Sequence, residues 1–141
     1  MEKLDLNAVA EKFEEIATGM HLFYNTETGE FDFYSDFMEE EEEEVDREKF
    51  EDDSWVAAPS QWEINEYDIM TDYTETISDS HKNRCLCIAL DGKGAFRRFK
   101  DMLHHLDLID EWYIFKRKAY IEIAREWCEE NGIEYLDNAK K

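Results

Sequence analysis

The stretch from Asp36 to Asp53 holds 12 acids and 2 bases, with six glutamates in succession from Glu39 to Glu44. Burying a carboxylate without a partner costs several kcal/mol, so a like-charge block of this kind stays solvated. No hydrophobic core passes through it. The sequence therefore predicts a mobile acidic loop over about residues 36–53, with folded segments on either side. The charge is also divided along the chain. Residues 1–80 carry 26 acids against 4 Lys and Arg, and residues 81–141 carry 11 against 12. A net charge of −21 would suit a disordered chain, but an aromatic share of 14% would not. At 141 residues the chain suits a single domain, one that buries roughly two-thirds of its unfolded surface.

The apolar spacing on either side of the loop predicts specific elements. Asn7 is placed to cap a helix through about Thr18, with Val9, Phe13 and Ile16 on one stripe and Gly19 as its stop. Leu22–Tyr24 and Phe31–Tyr34 are β-prone runs around Asn25-Thr26-Glu27-Thr28-Gly29, where Gly29 suits the positive φ of a bulged hairpin turn. Two strands do not hold alone, and Trp55–Ala58, ended by Pro59, supplies a third. Ser60 and Glu63 form a capping box for a helix to about Ile77, with Trp62, Tyr67, Met70, Tyr73 and Ile77 spaced for burial. Further helices follow over about Lys82–Leu90, Ala95–Leu106 and Leu108–Asn131. In the second of these Phe96, Phe99, Leu103 and Leu106 face the core. In the last, Trp112, Phe115, Ala119, Ile123 and Trp127 form the stripe, and Gly132-Ile133 a Schellman stop. The fold class is α+β: a small antiparallel sheet of hairpin plus third strand, packed with about five helices, mostly C-terminal.

One motif concentrates the bases. Gly92-Lys93-Gly94-Ala95-Phe96-Arg97-Arg98-Phe99-Lys100-Asp101 reads as a glycine turn opening a helix whose first turns are cationic. A helix N-terminus already carries about half a positive charge, so bases there cost roughly 0.3–1 kcal/mol each unless an anion lies nearby. Lys93, Arg97, Arg98 and Lys100, with Lys116, Arg117 and Lys118 of the next helix, are the candidate anion-binding residues. The alternative is internal pairing with the acidic half, including Asp68, Asp72 and Glu75. Arg97 also has Asp101 within reach at i+4.

Other chemistries are poorly matched. The glycine turn lacks the G-x-x-x-x-G-K-[ST] phosphate-loop pattern, and no calcium loop is present. His81, Cys85, Cys87 and Cys128 are metal-capable, but C-x-C without a second pair is poor zinc spacing, so no metal and no cofactor is expected. His104 and His105 diverge by about 100° on a helix and do not share a ligand easily. No nucleophile is assembled with a base and an orienting group, which argues for a non-enzyme. With no long apolar run and no signal-like N-terminus, the expected location is the cytoplasm, away from membranes.

Several segments carry a resemblance. Tyr24–Glu30, Trp55–Pro59, the run Ala89–Asp101, Trp112–Phe115 and Glu126–Asn131 together resemble an uncharacterised family of small bacterial proteins, uncharacterised protein family 158. The resemblance implies the same order of elements and no established activity, so it transfers no catalytic residue. The run of six glutamates looks longer than that family's usual insert. The charge pattern then favours a non-catalytic interaction or regulatory protein whose acidic surface, Glu39, Glu40, Glu41, Glu42, Glu43 and Glu44 foremost, binds a basic protein partner, in a sharper form as a mimic of nucleic acid. The alternative is RNA or nucleotide-phosphate binding through helix 93–100 and the 116–118 cluster.

Overall fold

The computed structural model describes residues 3–16, 19–35 and 48–136, with Gln61 and Trp62 described in backbone only. The chain clusters into two compact units, residues 1–64 with 120–141, and residues 65–119. Residues 36–47 of the expected acidic loop, including Glu39–Glu44, lie outside the described residues.

The first unit starts with a short strand, β1 (Leu4–Asp5), that runs directly into helix α1 (Leu6–Glu14). The helix begins earlier than expected. Asp5 holds the extended N-cap conformation and its carboxylate accepts the Asn7 N–H at 3.0 Å, so Asp5 and not Asn7 is the cap. Val9, Phe13 and Ile16 are buried as the spacing required. The hairpin forms from β2 (Met20–Asn25) and β3 (Phe31–Ser35). Its turn is built by Asn25, whose side-chain oxygen accepts the N–H groups of Glu27 at 2.8 Å and Thr28 at 2.9 Å, while Gly29 sits at φ 77°. Strand β4 (Trp55–Ala57) pairs antiparallel with β2, giving the order β3-β2-β4.

Helix α2 (Gln61–Ile64) follows, opened by the expected capping box: Ser60 N–H to the Glu63 carboxylate at 3.3 Å and Glu63 N–H to the Ser60 hydroxyl at 3.2 Å. The unit is completed by residues from Tyr120 onward of a long helix whose first half belongs to the second unit. It ends with β5 (Tyr135–Leu136), which pairs in parallel with β1, a contact between chain ends that no local pattern announces.

The core of this unit gathers Leu6, Val9, Phe13, Leu22, Tyr24, Ile121, Ala124 and Trp127. Trp127 meets Phe13 edge-on at 5.4 Å and Tyr24 at 5.9 Å, and its indole N–H donates to the Ala57 carbonyl at 2.9 Å. The other face of the sheet is covered by the end of the expected loop. Phe50 stacks on Phe23 at 4.2 Å, and Lys49 pairs with Asp32 while lying over the rings of Phe50 and Trp55.

The second unit comprises α3 (Glu66–Glu75), α4 (Ser80–Ala89), α5 (Ala95–His105) and the first half of α6 (Ile109–Glu130). The single helix expected from Ser60 to Ile77 is instead broken at Asn65, which takes a left-handed conformation at φ 48°. Asparagine visits that region at lower cost than most residues, so nothing in the spacing betrays the break. One consequence is that Tyr67, expected in the buried stripe, is half-exposed, and its hydroxyl donates to the Leu90 carbonyl. Met70 and Tyr73 are buried, and Trp112 receives Tyr73 and Phe99 edge-on at 5.5 and 5.2 Å. Helix α4 starts at Ser80 because Asp79 caps it, accepting the Lys82 N–H at 3.0 Å.

Helix α5 stops in a Schellman pattern without glycine. Asp107 adopts φ 58°, and the Leu108 N–H reaches the Leu103 carbonyl at 2.8 Å. Helix α6 ends as read from the sequence, with Gly132 at φ 65° and the Ile133 N–H on the Cys128 carbonyl at 2.8 Å. Among the described residues no helix is long and apolar enough to cross a membrane.

A Cβ added at Gly132 meets open space, so only its backbone conformation is at stake. Gly132→Ala is therefore expected to lower stability by about 1 kcal/mol through left-handed strain alone, measured by urea denaturation with an unchanged m-value.

Candidate functional site

The cationic motif and the 116–118 cluster lie entirely within the second unit, and the seven expected bases separate into distinct roles. Gly92 and Gly94 both hold positive φ, and Gly94 is the N-cap of α5 with no side-chain cap. Arg98 reaches back over this turn, its guanidinium donating to the carbonyls of Asp91 and Lys93. A Cβ on Gly94 would sit 3.2 Å from that guanidinium, which gives the glycine a second reason besides its backbone. Arg98, expected as an anion ligand, is therefore occupied by carbonyl oxygens.

Lys116 is occupied as well, paired with Glu66 at 2.7 Å. That pair is the internal acid–base match anticipated from the helix after Pro59, made by Glu66 in place of Asp68, Asp72 or Glu75. Arg117 is partly buried and Lys118 is exposed. Lys93, Arg97 and Lys100 are all exposed, and among the described residues none of the three enters an ion pair; the Arg97–Asp101 pair allowed by spacing is not made.

Phe96 is the clearest departure from the sequence reading: it is 53% exposed, whereas a core position was expected. At about 100° per residue, Ala95, Phe99 and Leu103 already occupy the buried sector. Phe96, Lys100, His104 and Arg97 follow one another around the adjacent exposed sector. From α6, Tyr113 joins them, 47% exposed, with the Lys100 ammonium 6.0 Å from its ring centre. The result is an aromatic and cationic surface instead of a purely basic helix end.

The metal-capable residues do not assemble. Cys85 lies 3.7 Å from the His81 ring nitrogen, Cys87 contacts Asn83 at 3.5 Å, and Cys128 is fully buried in the first unit. Among the described residues no three His, Cys, Asp or Glu side chains come together in a metal-binding group.

The first unit offers a different feature. A cleft of about 420 Å³ is lined by Ala58, Pro59, Ile123 and Trp127 together with Glu63, Glu126 and Glu130. It joins the segment after β4 to the last turns of α6, residues far apart in sequence, so local patterning gave no sign of it. Charge also divides by unit. Residues 65–119 hold 10 acids against 9 Lys and Arg, and the first unit holds the remaining 27 against 7.

Comparison with known proteins bears on the resemblance described above. The chain is 27% identical over 67 residues to the UPF0158 protein PA5073 of Pseudomonas aeruginosa, a match covering 47% of this chain and 44% of that protein. The chain thus matches less than half the length of that relative. No family model matches, and no solved structure matches. The similarity supports the uncharacterised family suggested by the motifs, over a shorter part of the chain than they span.

Two buried acids give the protein a pH signature. Burial, then the neighbouring Glu129, pushes the Cys128 thiol up to about 11 from 9.0. Burial, then Glu111, pushes Tyr73 up to about 12 from 10.0. Raised values mean that the folded state holds these protons more tightly than the unfolded chain. Their contribution is complete below pH 9 and is lost as pH rises through 11 and 12. Thermal unfolding followed from pH 8 upward is expected to show a falling midpoint across that window, and Cys128→Ala is expected to flatten its lower part.

Proposed function

We propose that this chain is a non-catalytic interaction protein of the cytoplasm whose first unit binds a basic protein partner. The observation that carries the reading is the imbalance of that unit, 27 acids against 7 Lys and Arg. Even complete internal pairing would leave 20 carboxylates without a cation of the chain's own. A surplus of this size raises the local concentration of cationic partners and speeds their approach, and it loses effect as salt screens it over about 8–10 Å.

The cleft supplies a place where such attraction becomes a fitted contact. Lys and Arg side chains pair an apolar stem with a charged head. Among the residues lining the cleft, Pro59, Ile123 and Trp127 suit the stem, and Glu63, Glu126 and Glu130 suit the head. Spaced carboxylates on such a unit would also let it stand in for a phosphate backbone, so a nucleic-acid-binding protein is the partner class with the best charge match. The reading assigns no catalytic residue and no cofactor.

A pull-down with the full chain from nuclease-treated lysate of its own host tests the proposal. Retention of a specific basic protein is expected, released as salt is raised and weakened at least tenfold by Glu126→Gln with Glu130→Gln. Failure to retain any basic protein at moderate salt overturns it.

A further inference from the structure

The exposed surface of α5 and α6 carries chemistry that the acidic reading does not use. Phe96 and Tyr113 expose about half of their surface, whereas Tyr73, Phe99 and Trp112 of the same unit are buried and the half-exposed Tyr67 is tied by its hydroxyl to the Leu90 carbonyl. Lys100 follows Phe96 by one helical turn and its ammonium lies over the Tyr113 ring, which places a cation between two accessible aromatic side chains. Arg97 and Lys93 flank them, exposed and outside any ion pair among the described residues.

Simple surface solvation explains the cations and the Tyr113 hydroxyl but not the phenyl ring of Phe96, which has no polar group to offer water. A core role explains neither. We propose that Phe96, Arg97, Lys100 and Tyr113 form a binding surface for single-stranded nucleic acid, with the rings stacking on bases and Lys93, Arg97 and Lys100 neutralising the phosphates between them.

The combination selects this ligand over the other anions it could attract. An inorganic phosphate or an acidic peptide would use the cations and leave the rings idle. A duplex hides its base faces in the stack. A single strand presents a π-face and a phosphate with every nucleotide, and stacking on an aromatic side chain is tolerant of sequence. The acidity of the whole chain does not forbid the contact, because residues 65–119 carry a net charge of only −1. Arg98 and Lys116 are excluded from the surface, since carbonyl oxygens and Glu66 already hold them.

Fluorescence anisotropy of the full chain with a labelled single-stranded RNA of about ten nucleotides, from about 50 mM salt upward, tests the proposal. The affinity is expected to fall with salt at a slope of about −2 on a double-logarithmic plot, about −0.7 for each of three phosphates neutralised. Arg97→Gln with Lys100→Gln is expected to bring that slope to about −0.7. Phe96→Ala with Tyr113→Ala is expected to weaken binding tenfold or more while leaving the slope unchanged. All four side chains are exposed, so both variants are expected to melt as the wild type does, and the melting curve of each is recorded with its titration. The proposal is overturned if no RNA is bound at the lowest salt, if both variants bind as the wild type does, or if a glutamate peptide of equal charge displaces the RNA as well as unlabelled RNA does.

Discussion

The first unit depends on one indole. Trp127 places its ring against Phe13 and Tyr24 while its N–H closes on the Ala57 carbonyl, so one side chain ties α1, the sheet and α6 into a single core. The requirement is unusually strict here because the unit carries a net charge of −20, and self-repulsion of that order works against any compact state. Apolar burial and directed hydrogen bonds oppose it, with ion pairs such as Lys49–Asp32 offsetting a small part of the surplus. The hydrogen bond has a second effect. Strand β4 lies at the edge of the sheet, and the indole occupies one of the carbonyls that an edge would otherwise offer to another chain. The same tryptophan lines the cleft, so the packing that holds the unit together also shapes that concave surface.

The second unit solves a different problem with different means. Its charges nearly cancel, and its core of Tyr73, Phe99, Leu103 and Trp112 needs no compensation for a surplus. What it must manage is a cationic stretch beside a helix start. Arg98 answers by turning back to the carbonyls of the glycine turn, where its donors meet partial negative charge and not the helix's own positive end. Lys116 answers by pairing with Glu66 across two helices.

Much of this was legible in the residues, and where it was not the reason is physical. The hairpin was legible because Asn25 and Gly29 bracket a turn that few other residues build, and the end of α6 because Gly132-Ile133 is a strong stop. The start and end of α5 were legible from the glycine turn and the apolar spacing. The break at Asn65 was hidden because a left-handed asparagine reads as an ordinary polar helix residue. The parallel pair of β1 and β5 joins residues from opposite ends of the chain, which no window of sequence contains. The seven bases were found, but which of them were occupied depended on where backbone carbonyls and Glu66 came to lie. The cleft was invisible for the same reason.

Sequence proximity in the motif Lys93–Lys100 therefore conceals a division of labour that only geometry resolves. Arg97 and Arg98 are neighbours with the same chemistry, yet about 100° of helix rotation sends one to the turn and leaves the other outside any ion pair among the described residues. Phe96 and Phe99 divide in the same way, one at the surface and one at the centre of the core. In both pairs the inward or backward member accounts for the fold and the outward member is left unexplained by it. The exposed half of Phe96, and an arginine outside any ion pair among the described residues, contribute little to stability. Residues that the fold does not need are the ones whose presence a binding function has to explain.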